Sequence, residues 1–255
     1  MIVPADVPDD RLGTFLGRAS PLTKLGVAVA WLAGLAITTQ PWPPIAIALV
    51  AIAAGLTLGR IPAGTLVRTT APLWIVAVIV AGSNTVFGAA NPDPTALELL
   101  RIGPLRITEP ALATGFALGL RVVAIASVGA VFALTTDSTR LVDALVQQAR
   151  VPERFAYGAL AAYQAVPWFA QDLSTLRQAR RIRGLRATWH PGILLGLLVL
   201  AIRHGDRMAL AMDARAFGSG PRSRYRIVRW SVVDGVVVIG AVVVIVVALS
   251  LGVAR

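Results

Sequence analysis

The sequence contains no cysteine, a single lysine (Lys24) and two histidines (His190 and His204). The first absence excludes disulfides, zinc–thiolate sites and a cysteine nucleophile. Because the lone lysine opens an apolar run, no Gly-x-x-x-x-Gly-Lys-Ser/Thr loop exists to cradle phosphates, and any ATP is handled by another chain. The histidines have no carboxylates clustered beside them in sequence, so no metal site is expected. His-Glu-x-x-His and Gly-x-Ser-x-Gly are missing as well. The nearest polar-region carboxylates, Asp137 with Asp143 and Asp206 with Asp213, are spaced like solvated helix charges. No catalytic residue and no cofactor are assigned, and the chain reads as a non-catalytic subunit.

What is abundant is apolar sequence. At 255 residues and 56% hydrophobic, the chain carries more apolar surface than one soluble core of this size can hide. Segments at about 24–40, 43–60, 69–88, 110–134 and 231–253 each have the length and composition of a transmembrane helix. The expected fold is an all-α integral membrane protein: a membrane domain over 1–135, a three-helix insert over 136–230 and a final span within 231–255. Two further apolar stretches, 155–170 and 192–202, are interrupted by Gln164 and Pro167 or are too short, and read as amphipathic or buried helices. The opening, with Arg18 and Lys24 before an apolar run, has some features of a signal peptide. The acidic leader (Asp6, Asp9, Asp10) and the series of similar runs that follows favour a first span.

Basic residues set the orientation. Arg11, Arg18 and Lys24 flank the first span, Arg60 and Arg68 lie between the second and third, and the large excess follows the fourth, whereas the turn from Thr39 to Pro44 is uncharged. By the positive-inside rule, the N-terminus and the insert are cytoplasmic and the mixed-charge loop 89–109 is external. The spacings Gly55/Gly59 and Gly115/Gly119 allow close helix approach, either within this bundle or against a partner helix. Arg121, in the fourth span, either faces a polar interior or partner, or snorkels from a helix that begins later than placed.

Between Asp137 and Arg229 there are fifteen arginines, no lysine and six acids. Such a basic surface on one side of a membrane suits anionic lipid or an acidic protein partner. With few aromatics interleaved to stack on bases, nucleic acid is the weaker reading. The insert predicts a helix from Ser138 to about Arg150, a longer one after Val151-Pro152 to Arg183, and a third from His190-Pro191 to near Ala216, with Gly218 and Pro221 beyond. Both long helices end in arginine followed closely by glycine: Arg180-Arg181-Ile182-Arg183-Gly184, and Asp213-Ala214-Arg215-Ala216 with Gly218 after it. Arginine there satisfies the helix dipole and is explained by capping alone. Two such ends in one basic insert also suit guanidinium tips that enter pockets on a paired partner.

These residues resemble the transmembrane T component of energy-coupling factor transporters, the group that includes the membrane subunits of biotin and cobalt uptake systems. Ser20-Pro21-Leu22-Thr23-Lys24-Leu25 is similar to the family's opening of the first span. Arg121 falls where such proteins often carry arginine, Thr135-Thr136-Asp137 resembles the exit from that span, and Val151-Pro152 matches the break between coupling helices. Ile182-Arg183-Gly184 and Ala214-Arg215-Ala216 stand for the two Ala-Arg-Gly signatures. Ile182 and Ala216 depart from that pattern, as does Gln164-Ala165-Val166-Pro167, which lacks the family's arginine. The resemblance implies an importer with two ABC-type ATPases, which hold ATP and magnesium, and a membrane S component that binds a vitamin or transition-metal ion. It implies Arg183, Gly184, Ala214, Arg215 and Ala216 as ATPase-docking residues, with Arg180, Arg181 and Asp213 secondary. A lipid-modifying membrane enzyme, and a membrane-anchored basic module for anionic lipid or nucleic acid, are the alternatives.

Overall fold

The structure is a computed structural model that describes residues 13–38, 40–88, 91, 97–102, 105–185, 190–217 and 226–253. Its helices are α1 (Phe15–Arg18), α2 (Pro21–Ile37), α3 (Trp42–Thr57), α4 (Ala63–Val86), α5 (Glu109–Thr135), α6 (Ser138–Gln147), α7 (Glu153–Ile182), α8 (Pro191–Ala214) and α9 (Val232–Val253). Strands β1 (Glu98–Ile102) and β2 (Leu105–Thr108) pair antiparallel as a hairpin between α4 and α5. The sequence reading placed only a loop there. Prolines mark the starts of α2, α3, α5 and α8, where a missing N–H costs nothing and the fixed φ suits the first turn.

The described residues divide into two compact units, one within 138–228 and the other formed by 13–137 and 229–253. In the second unit the centre is a cluster of Trp31, Leu35, Ile47, Ala48, Ala51, Ala124, Val128 and Ala241 from α2, α3, α5 and α9. Half of its residues are alanine, as expected where close backbone approach helps to hold helices together. A Cβ at Gly55 would lie 2.8 Å from Val131, and one at Gly119 would lie 2.8 Å from the Ala81 Cβ and 3.0 Å from the Ala77 carbonyl. The glycine spacings therefore serve this bundle's own packing. Its outer surface is apolar instead of charged: Ile75, Val78, Ile79, Val236, Ile239, Val242, Val243 and Val246 are all exposed. A helix face of that kind suits lipid. By length and composition, α4 and α5 can each cross a bilayer, and α2, α3 and α9 supply shorter apolar helices.

Polar ties fix the helix ends in this unit. Lys24 is buried and its Nζ donates to the Thr135 carbonyl at 2.7 Å, a cation at a helix C-terminus. Asp234 is buried and its two oxygens accept the Ser20 and Ser231 N–H groups at 2.6 and 2.7 Å, joining the starts of α2 and α9. Trp31 Nε1 donates to the Ala241 carbonyl at 3.1 Å. Asn91 donates to the Thr85 and Val86 carbonyls, each at 2.9 Å, and accepts the Thr108 N–H at 3.1 Å, closing α4 against the start of α5.

Candidate functional site

The two arginine-bearing helix ends share one backbone geometry. At the end of α7, Arg183 is the C-cap and Gly184 adopts φ +73°. The Gly184 N–H donates to the Arg181 carbonyl at 3.0 Å, and the Leu185 N–H reaches back to the Arg180 carbonyl at 3.1 Å. At the end of α8, Arg215 is the C-cap and Ala216 adopts φ +53°. The Ala216 N–H donates to the Asp213 carbonyl at 2.9 Å, and the Phe217 N–H to the Met212 carbonyl at 3.0 Å. Both are Schellman caps, in which a left-handed residue turns the chain and satisfies the last carbonyls. Alanine at the second position thus keeps the turn that glycine makes at the first. The departure from the signature alters strain but leaves the backbone path intact.

The arginines are placed alike. Arg183 and Arg215 are both exposed, as are Arg181, Asp213, Ala214, Ala216 and Gly184, while Arg180 is half-buried. Ile182, the other departure, is 87% exposed and adds an apolar flank beside Arg183. Asp213 contributes its carbonyl to the cap. Gly218 and Pro221 lie outside the described residues.

Within the same unit, Leu176 of α7 meets Gly196 of α8, and Trp168 meets His204 with ring centroids 4.8 Å apart. Rising numbers on one helix thus pair with falling numbers on the other, so the helices run antiparallel. The two tips consequently occupy opposite ends of the pair. With α7 at 30 residues, a helix of about 45 Å at the usual rise separates the ends. The structure gathers Arg180, Arg181, Arg183 and Gly184 at one end and Asp213, Ala214, Arg215 and Ala216 at the other.

Arg121 belongs to the other unit. The helix that carries it starts at Glu109 and runs 27 residues, so a late start does not explain this arginine. It shares a face with Ala117, Ala124 and Val128, all buried. Its Nε is buried without a hydrogen-bond partner among the described residues.

Asp143 corrects the sequence reading. It is not a solvated surface acid: it is buried, and the Tyr157 hydroxyl donates to its Oδ1 at 2.8 Å. Tyr157 in turn lies edge-on to Phe217, with centroids 6.5 Å apart and planes at 79°. Gln147 holds a distant segment, donating to the Arg226 carbonyl at 2.8 Å and accepting the Val228 N–H at 2.9 Å. His190 caps α8, its Nδ1 accepting the Gly192 N–H at 3.0 Å.

The sequence model of the family described as "Cobalt transport protein" (CbiQ) matches residues 13–227, a stretch that includes both tips. The chain belongs to this family. Among relatives, this cobalt transport family member is 28% identical over 249 residues to the energy-coupling factor transporter transmembrane protein EcfT of Heliobacterium modesticaldum, covering 88% of this chain and 85% of that one. It is 25% identical over 219 residues to the EcfT of Acidaminococcus fermentans, covering 80% and 79%. With the EcfT of Listeria innocua it shares 22% identity over 239 residues, covering 87% and 88%. The resemblance to T components holds over nearly the whole chain. A cobalt transport family member with these apolar helices is a membrane protein and a transporter component.

Proposed function

We propose that the chain is the transmembrane coupling subunit of an energy-coupling factor importer, joining two ABC-type ATPases to a membrane S component. The observation that carries this reading is the pair of matching Schellman caps, which present exposed Arg183 and Arg215 at opposite ends of one antiparallel helix pair. A helix transmits a displacement only when its end is gripped. A planar guanidinium on a rigid cap suits such a grip, since it offers forked donors to carboxylate or carbonyl acceptors. Two tips separated by the length of α7 suit two ATPases. Closure of the ATPase pair on ATP and magnesium, both bound by the partners, moves the tips and hence the coupling unit.

The face left over suits the third partner. Leu194, Leu195, Leu198, Val199 and Ile202 of α8 are exposed in one helical stripe, an apolar surface of the kind that marks an interaction site. We assign it to the S component, which carries the binding pocket for the vitamin or transition-metal ion. The chain's own part is mechanical and non-catalytic.

The test is co-purification in detergent with the cognate ATPases. Arg183→Glu combined with Arg215→Glu is expected to leave the protein inserted and to lose the ATPases, because a carboxylate facing acceptor groups adds repulsion to the lost hydrogen bonds. Normal ATPase stoichiometry with the double variant would refute the docking role. Retention on anionic vesicles with no ATPase partner for the unmodified protein would favour a basic lipid-binding module instead.

A further inference from the structure

The two tips differ in what supports them. At the first, glycine takes the left-handed conformation, and a Cβ placed there would meet nothing within 4 Å. At the second, alanine holds φ +53°, a conformation that L-residues with a Cβ resist. Phe217, the residue after it, is only partly exposed and meets Tyr157 edge-on. Tyr157 sits in the second turn of α7, and its hydroxyl is held by buried Asp143 of α6. The turn that follows α8 is thereby referred back to α6 and α7.

We infer that Asp143 and Tyr157 are positioning residues for the second tip, fixing Arg215 through Phe217. The arrangement makes α7 the common reference for both arginines. One of its ends carries Arg183 directly, and its opposite end carries Tyr157, against which the Arg215 cap is seated. Edge-to-face aromatic contact is directional, so it orients the turn as well as burying it. The hydrogen bond to a carboxyl removes the rotational freedom of the phenol that does the seating. The inference rests on the docking role proposed above for its consequence, but its structural half stands on this chain alone.

The experiment is hydrogen exchange on the full chain in nanodiscs without ATPases, comparing the capping amides of the two tips. In Tyr157→Leu and Phe217→Leu, exchange at Ala216 and Phe217 is expected to rise by roughly tenfold, the scale of one aromatic contact. Gly184 and Leu185 should exchange as before. Tyr157→Phe, which keeps the ring and loses the hydroxyl, should show a smaller rise, and Phe217→Tyr should restore the original rate. With ATPases added, the leucine variants should lose them faster on washing although both arginines remain. Unchanged exchange at the second tip in both leucine variants overturns the inference, and so does a rise of equal size at both tips. If exchange follows the expected pattern but ATPase retention does not change, the positioning role in docking is overturned. Failure of the Arg183→Glu, Arg215→Glu variant to release ATPases bears on the docking reading alone.

Discussion

Ala216 carries backbone strain at a place where its neighbours need a fixed turn. A left-handed residue with a Cβ costs about 1–2 kcal/mol, and glycine at the same place costs far less. Ala216→Gly is therefore expected to raise the stability of the coupling unit by about 1 kcal/mol, whereas Gly184→Ala should lower it by a similar amount, with no clash involved. Thermal unfolding of the two variants should move in opposite directions, and movement in the same direction would contradict the capping geometry. The first cap was legible, since arginine before glycine at the end of a helical pattern follows from local rules that act within six residues. Alanine at the second cap gave no such local signal. The role of Asp143 was hidden for a related reason: its partner Tyr157 is fourteen positions away on another helix, and only tertiary packing brings them together.

At the scale of elements, close packing of α4 on α5 depends on small residues at defined places. A Cβ at Gly119 would stand 2.8 Å from the Ala81 Cβ, but one at Gly129 on the same helix would meet nothing within 4 Å. Gly→Ala in a helix interior normally gains up to about 1 kcal/mol from propensity. At Gly119 that gain is opposed by overpacking of about 1–3 kcal/mol, because the blocking atoms include backbone. Gly119→Ala should thus unfold at lower temperature and Gly129→Ala at equal or higher temperature, followed by tryptophan fluorescence in detergent. The opposite order would mean that the glycine spacing serves a partner helix. The spacing was visible in the sequence, but which neighbour it admits was not, because a small residue states only that something comes close. The hairpin of β1 and β2 was missed because β1 breaks the alternation with Leu99-Leu100, and β2, although it alternates, is only four residues long.

The whole molecule joins a unit whose outward surface is apolar to a unit that is rich in arginine, and the charge distribution predicts how the first sits in a membrane. Of 24 basic residues, fifteen fall between Asp137 and Arg229, and the positive-inside rule predicts that Arg18, Lys24, Arg60 and Arg68, near helix ends, share that side. The hairpin side has Arg101 and Arg106 balanced by acids. Placing the arginine-rich unit in the ATP-containing compartment would satisfy the positive-inside rule and the proposed docking role together, two requirements with independent physical origins. If α2, α3, α4, α5 and α9 all cross, the odd number places the two ends of the chain on opposite sides. A reporter fused after Arg255 is expected to be external, and one inserted in the 148–152 connection cytoplasmic. The short α2 and α3, at 17 and 16 residues, are the helices whose crossing the end reporters do not test. Both lie near the lower limit for spanning, and they manage it only if the bilayer thins locally or flanking residues snorkel. If that pair instead lay on the cytoplasmic side without crossing, the parity would be unchanged, so the turn between them needs its own probe. A cysteine introduced at Gln40, in a chain that has no other thiol, should react with an impermeant reagent added outside intact cells. Protection at that site until the membrane is broken would show that α2 and α3 do not cross.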